Sequence, residues 1–148
     1  MNIDEVGRWF KLGDHDLLNA EFITEHNLPI PEIVCFHCQQ AAEKYLKGYI
    51  RYIGQNEIPR THDITYLAKL CSTLDPVPDS TFNGVQLECC TLSMYAMIIW
   101  GPDFMDVNNK DAELALVFAK TIRDLEPLQT LRAELDTPDT LDTIQEEG

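Results

Sequence analysis

The spacing of apolar residues in this 148-residue chain follows the periodicity of an α-helix almost throughout. In the first segment the apolar and small residues recur at steps of three and four positions, which places them on one helix face: Ile3, Val6, Phe10, Gly13, Leu17 and Ala20. No segment shows the strict alternation of apolar and polar residues that is typical of a half-buried β-strand. The pattern therefore predicts an all-α domain in which each helix buries one face.

Turn-forming residues divide this pattern into about five helices. The second helix is predicted from about Glu32 to about Ile53. Thr61 is predicted to be the N-cap of a third helix that covers about His62 to Leu74. Two more helices follow, and Pro127 is expected to kink or end the fifth. Five amphipathic helices with mostly short connections imply an antiparallel up-and-down helical bundle.

The net charge of −14 limits the functions that are open to such a bundle. A protein that binds nucleic acid without sequence preference needs a basic surface, because neutralisation of phosphates supplies most of its affinity. Six acids and no base fall in residues 133–148, so the sequence divides into a helical body, residues 1–132, and an acidic C-terminal tail that is expected to be mobile. Without these six acids the body still carries −8, so any anion site must be a local island.

Two features bear on the cellular compartment and on metal binding. The sequence Met1–Glu5 lacks the layout of a signal peptide, and the longest apolar run, Met94–Trp100, is too short to span a bilayer. The five cysteines are an odd number, which favours free thiols in a cytoplasmic protein. Cys35 and Cys38 have zinc-ligand spacing, but they lie in mid-helix without the tight turn that usually presents such thiolates. We therefore predict neither a metal nor a cofactor.

The second helix carries the strongest candidate for a binding site. One arc of this helix, together with the turn that follows, collects polar and basic residues: His37, Gln40, Lys44, Lys47, Arg51, Arg60 and His62. We call this set the basic ridge. It is interpreted either as an anion-binding strip, to which the start of the third helix adds N–H donors, or as a solvated helix face whose lysines pair with acids elsewhere.

The same segment resembles the signature of a known family. Residues 36–48 read Phe-His-Cys-Gln-Gln-Ala-Ala-Glu-Lys-Tyr-Leu-Lys-Gly, similar to the HEPN pattern Gln-Gln-Ala-x-Glu-Lys-x-Leu-Lys. Residues 60–64, Arg-Thr-His-Asp-Ile, resemble the Thr-His-Asp-Leu turn of that family, and the likeness extends back to Trp9 and Asp16 and over about residues 5 to 125. Gly13, between Trp9 and Asp16, stands where the family more often has alanine. The resemblance implies a helical bundle, frequently a homodimer, often encoded beside a minimal nucleotidyltransferase in a toxin–antitoxin-like system.

The ribonuclease members of the HEPN family use an arginine, four to six intervening residues and a histidine near the end of the fourth helix. Here Trp100 stands where the arginine would be, and no histidine follows His62. Cleavage of RNA needs a group that activates the 2′-hydroxyl and a cation that stabilises charge on the phosphate, so no catalytic residue is predicted. Arg8 and His15 match the spacing but lie in the first helix, where two separate surface residues are expected.

These observations predict a non-catalytic HEPN-like module. It would bind a nucleotide or an RNA phosphate on the basic ridge, or act as the partner of a minimal nucleotidyltransferase. One alternative is a metal-independent ribonuclease that uses His62 with Arg60 or Arg51. The other is a purely structural interaction protein in which the second helix mediates a homodimer, since a two-fold dimer is the commonest soluble assembly.

Overall fold

The computed structural model describes residues 3–54, 57–96 and 106–137. Within these ranges the chain forms six α-helices, one 3-10 turn and no strand. In chain order the elements are α1 (Ile3–Glu25), α2 (Pro31–Tyr52), α3 (Ile64–Leu74), the 3-10 turn (Asn83–Val85), α4 (Gln86–Ser93), α5 (Asn109–Arg123) and α6 (Glu126–Leu135). The helical bundle predicted from the apolar spacing is confirmed. None of these described helices is both long and apolar enough to cross a bilayer.

Helix α2 lies at the centre of the bundle. Thirteen of its 22 residues are buried, because α1, α3 and α5 all pack against it. Leu46 and Ile50 are completely inaccessible to solvent. The helix begins at Pro31, where the missing backbone N–H of proline costs nothing, since an N–H at the first position has no partner within the helix. Because helices pack on it from several sides, three polar residues of α2 are buried as well: Gln39, Glu43 and Lys47.

Two glycines allow α1 and α2 to approach closely. A Cβ atom on Gly13 would lie 2.7 Å from the ring of Tyr45, and one on Gly48 would lie 2.9 Å from the ring of Phe10. The two rings meet edge to face, with their centroids 5.7 Å apart. The ring of Tyr45 therefore accounts for glycine at position 13, where the family more often has alanine, and the close approach brings polar residues of α1 beside those of α2.

The start of α3 differs from the prediction. The N-cap is Asp63, whose carboxylate accepts a hydrogen bond of 3.2 Å from the backbone N–H of Tyr66. The prediction of Thr61 as N-cap was wrong, because aspartate is the better capping residue and the hydroxyl of Thr61 instead accepts a bond of 3.1 Å from the backbone N–H of Asp63. His62 consequently lies before the helix and not in its first turn.

The region around Pro127 also differs from the prediction. Helix α5 ends at Arg123, and Pro127 occupies the second position of the additional helix α6. Proline is tolerated there because the N–H groups of a first turn have no partner within the helix. Residues 138–148, which form most of the predicted acidic tail, lie outside the described residues.

Candidate functional site

The first cluster of the basic ridge forms around a carboxylate of α1. Asp16 lies on the buried side of this helix, and its side chain is 10% exposed. One of its oxygens lies 2.9 Å from Nδ1 of His37, and the other accepts a hydrogen bond of 2.5 Å from Nζ of Lys44. Asp16 therefore ties two residues of the basic ridge to α1.

The second cluster forms around Glu43 on α2, whose side chain is 7% exposed. Its Oε1 accepts a hydrogen bond of 3.1 Å from Gln39 and lies 2.7 Å from Nδ1 of His62, while its Oε2 accepts one of 3.2 Å from Nζ of Lys47. Gln39 also donates to the carbonyl oxygen of His62, at 3.3 Å. Gln39, Glu43 and Lys47 can be buried because they satisfy one another. The contacts with His62, whose side chain is 62% exposed, fasten the segment before α3 to α2.

The remaining residues of the basic ridge occupy different surroundings. Gln40 donates a hydrogen bond of 2.6 Å to the side-chain oxygen of Gln39, so it joins the Glu43 cluster. Nε of Arg51 donates one of 2.7 Å to Glu5 on α1. Arg60 is exposed and lies in a separate depression beside Glu57. The structure thus brings six of the seven residues into contact with neighbouring polar groups and leaves Arg60 apart from the two carboxylate clusters.

Lys47 is the least accessible residue of the ridge. It is only 8% exposed, although the helical arc alone places it beside Lys44 and Arg51. A lysine can be buried at this position because the carboxylate of Glu43, one turn earlier, compensates its charge. Sequence reasoning did not include Glu43 or Asp16 in the site. The spacing of four residues between Glu43 and Lys47 was a local signal that could have revealed the first of them.

A third carboxylate, Asp14, joins α1, α2 and α6. Arg132 donates two hydrogen bonds of 2.9 Å to its two oxygens, and the hydroxyl of Tyr45 donates one of 2.6 Å. The guanidinium also lies over the rings of Phe10 and Tyr45, 5.3 and 5.7 Å from their centroids. Burial by itself raises the pKa of Asp14, but the hydrogen bonds from Arg132 and Tyr45 outweigh it and hold this pKa below its ordinary value.

The lowered pKa of Asp14 predicts a pH-dependent contribution to stability. The ionised carboxylate stabilises the folded chain above about pH 4, and this contribution is lost as the pH falls through the folded-state pKa. We expect Asp14→Asn to lower the free energy of unfolding at neutral pH, and the difference from wild type to shrink in acid. Urea unfolding at a series of pH values measures this, with the exposed Asp79→Asn as the control for loss of one charge. A difference that stays constant with pH would contradict the prediction.

Four of the five cysteines belong to the hydrophobic core. Cys35, Cys38, Cys71 and Cys89 are buried, Cys90 is exposed, and none forms a disulfide. Burial raises the pKa of the Cys35 and Cys89 thiols to about 12, which keeps them protonated at neutral pH. No group of three or more potential metal ligands occurs within the part of the chain that the structure describes.

Two further sequence features concern catalysis. Arg8 and His15 are both exposed on α1. Trp100 and the rest of residues 97–105, where the ribonuclease motif of the HEPN family would stand, lie outside the described residues. The conclusion that this motif is missing therefore rests on the amino-acid sequence alone.

The fold and its clusters define a helical-bundle domain whose signature residues hold three helices together around buried carboxylates. This chain belongs to the HEPN domain family, whose model matches residues 6–131. The resemblance found on the Gln-Gln-Ala-x-Glu-Lys-x-Leu-Lys pattern is thereby confirmed.

Solved structures share the fold. TT1696 from Thermus thermophilus superposes with a TM-score of 0.66 at 23% identity, over 88% of this chain and 99% of that one. ST0689, an archaeal HEPN homologue, gives a TM-score of 0.61 at 22% identity, over 88% of this chain and 98% of that one. No curated protein sequence matches the chain significantly.

Proposed function

We propose that this HEPN protein is a non-catalytic module that acts by binding a protein partner, and not by binding phosphate on the basic ridge. One observation carries the proposal: every lysine and arginine that α2 contributes lies against a carboxylate of the same chain. The pairs are Lys44 with Asp16, Lys47 with Glu43, and Arg51 with Glu5. Affinity for phosphate comes from uncompensated positive charge. The three cations and three carboxylates of these pairs have a net charge of zero.

The burial of the pairs strengthens this argument. A lysine that turned to an incoming phosphate would leave Asp16 or Glu43 without its ammonium partner, although each has a side chain that is 10% exposed or less. Uncovering a buried charge in this way costs about 3 to 5 kcal/mol. That cost would have to be subtracted from the attraction between the lysine and the phosphate.

The exposed positions of α1 support a protein partner. Leu12, Leu18 and Phe22 are 47%, 64% and 53% exposed, at positions where a helix of a monomeric domain normally carries polar side chains. Aromatic and apolar residues of this kind are typical of the centre of protein interfaces. We propose a minimal nucleotidyltransferase as the partner, since the family resemblance implies one. The homodimer was expected through the second helix, most of which is buried in the bundle, so a second copy of the chain would be the other occupant of this surface of α1.

Light scattering tests the proposal on the chain alone and after co-expression with the product of the neighbouring reading frame. We expect a complex of defined stoichiometry, and about tenfold or greater weakening when Leu18 and Phe22 are both changed to glutamate. Tyr66→Glu, an exposed aromatic position on α3, is the matched control and should leave the complex intact.

Titration with ATP and with short RNAs at low ionic strength tests the alternative, a phosphate site on the basic ridge. The proposal predicts no saturable binding with a Kd below about 1 mM. Micromolar binding that is lost in the Lys44→Ala/Lys47→Ala variant, and kept in a Lys69→Ala/Lys110→Ala variant at two exposed lysines, would overturn it in favour of a phosphate site. Circular dichroism of each variant shows whether it is folded.

A further inference from the structure

A crevice of about 390 Å³ lies between the end of α2, the linker after α3 and the start of α6. Its size falls in the range of small-molecule sites, roughly 300 to 1,000 Å³. The residues that line it include the buried Tyr49 and Leu131, the half-buried Tyr52 and Asp75, and the exposed Glu126. This combination is distinct from the basic ridge and from the exposed face of α1.

Of the two tyrosines, only Tyr52 can present its ring to a ligand, because Tyr49 is 3% exposed while Tyr52 is half-buried. The hydroxyl of Tyr49 already donates to Asp75, and that of Tyr52 donates to Glu134 at 2.6 Å. The ring centroids are 6.2 Å apart and the ring planes are tilted by 37°, so the ring of Tyr52 packs beside the buried ring of Tyr49. Tyr49 is held in place from behind by Phe82, whose ring centroid is 5.4 Å away.

The charge of the crevice selects the kind of ligand. Asp75 and Glu126 line it, whereas the described lining residues include no lysine, arginine or histidine. The faces of aromatic rings attract cations through the ring quadrupole, and carboxylates add a direct attraction. An anion would be repelled, and a small inorganic cation would keep its water shell and gain little from the rings.

We propose that this crevice binds an organic cation, that is, an alkylammonium or guanidinium group. Such a group combines a delocalised or shielded charge with apolar surface, so it can contact the ring of Tyr52 and the carboxylates at once. The chain's overall charge of −14 favours the approach of any cation, and the ring of Tyr52 supplies the preference for an organic one. The group can be a free small molecule or an arginine or lysine side chain of another protein.

The test is a titration of the full chain followed by NMR signals of its tyrosine rings, with tetramethylammonium, a short arginine-containing peptide and potassium at matched ionic strength. The two organic probes are expected to cause saturable shifts at Tyr52, and potassium is not. Tighter binding of the peptide would indicate a side chain as the natural occupant, and tighter binding of tetramethylammonium a free molecule; either result supports the site.

Variants distinguish a specific binding site from the general attraction of cations to an acidic protein. Tyr52→Leu should weaken binding of the organic probes about tenfold, which corresponds to the loss of one cation–π contact. Glu126→Gln changes an exposed residue and should weaken binding without affecting folding, while the exposed Tyr66→Leu should have no effect. Equal shifts with potassium, or organic-probe affinity unchanged in both Tyr52→Leu and Glu126→Gln, would overturn the proposal.

Discussion

Replacement of Lys47 by methionine is expected to lower the free energy of unfolding by about 3 kcal/mol. Nζ of Lys47 lies 3.2 Å from Oε2 of Glu43, and the two side chains are 10% and 7% exposed. Methionine keeps most of the apolar stem but removes the ammonium group, so the buried carboxylate retains only Gln39 and His62 as neighbours. Urea unfolding followed by circular dichroism at neutral pH measures the loss.

Two further variants show whether burial is the cause. Lys47→Met/Glu43→Gln removes the uncompensated charge as well and should recover about 1 to 2 kcal/mol of the loss. Lys120→Met breaks the pair of Lys120 with Glu21, which spans 3.4 Å with side chains 38% and 33% exposed, and should cost less than about 1 kcal/mol. Equal losses for Lys47 and Lys120 would mean that the Glu43 pair is solvated, and would reopen the basic ridge to phosphate.

The helices that were predicted well are those whose boundaries depend on neighbouring residues. The second helix was expected from about Glu32 to about Ile53 and runs over Pro31–Tyr52. Proline at its first position and Gly54 just beyond its end, with a φ of 97°, fix both termini locally. Apolar periodicity is also local, which is why the bundle could be predicted before any tertiary contact was known.

The boundaries that were missed involve competition between local signals. Thr61 and Asp63 are both capping residues two positions apart, and only the hydrogen bond to Tyr66 decides between them. Pro127 can end one helix or begin the next, and spacing alone does not distinguish these roles. Because of this ambiguity, the additional helix α6 was not predicted.

The basic residues of the candidate site were predicted from the sequence, but the carboxylates that pair with them were not. Periodicity groups Lys44, Lys47 and Arg51 on α2, since this grouping needs only the helical repeat. Asp16 is 28 positions from Lys44, and Glu5 is 46 positions from Arg51, so their pairing depends on how α1 packs on α2. The choice between an anion-binding strip and a set of internally paired cations therefore required the tertiary structure.

The packing of α1 on α2 provides the second large effect. Gly48→Leu is expected to lower the free energy of unfolding by about 3 kcal/mol or more, or to prevent folding. The new Cβ alone would lie 2.9 Å from two ring carbons of Phe10 and 3.0 Å from Cβ of Trp9, so α1 would have to move away. Because Asp14 and Asp16 are on α1, this movement would also weaken their contacts with α2 and α6. Thermal and urea unfolding measure the loss.

The same substitution at Gly7 is the matched control. A Cβ atom at that position of α1 has no neighbour within 4 Å, so leucine meets no obstacle there. Replacing a helical glycine raises helix propensity, and Gly7→Leu should therefore stabilise the chain by up to about 1 kcal/mol. Opposite signs for the two variants would show that Gly48 is required by the close approach of two helices. A comparable loss from both would instead mean that leucine is poorly tolerated anywhere in these helices, and the steric account of the α1–α2 contact would fail.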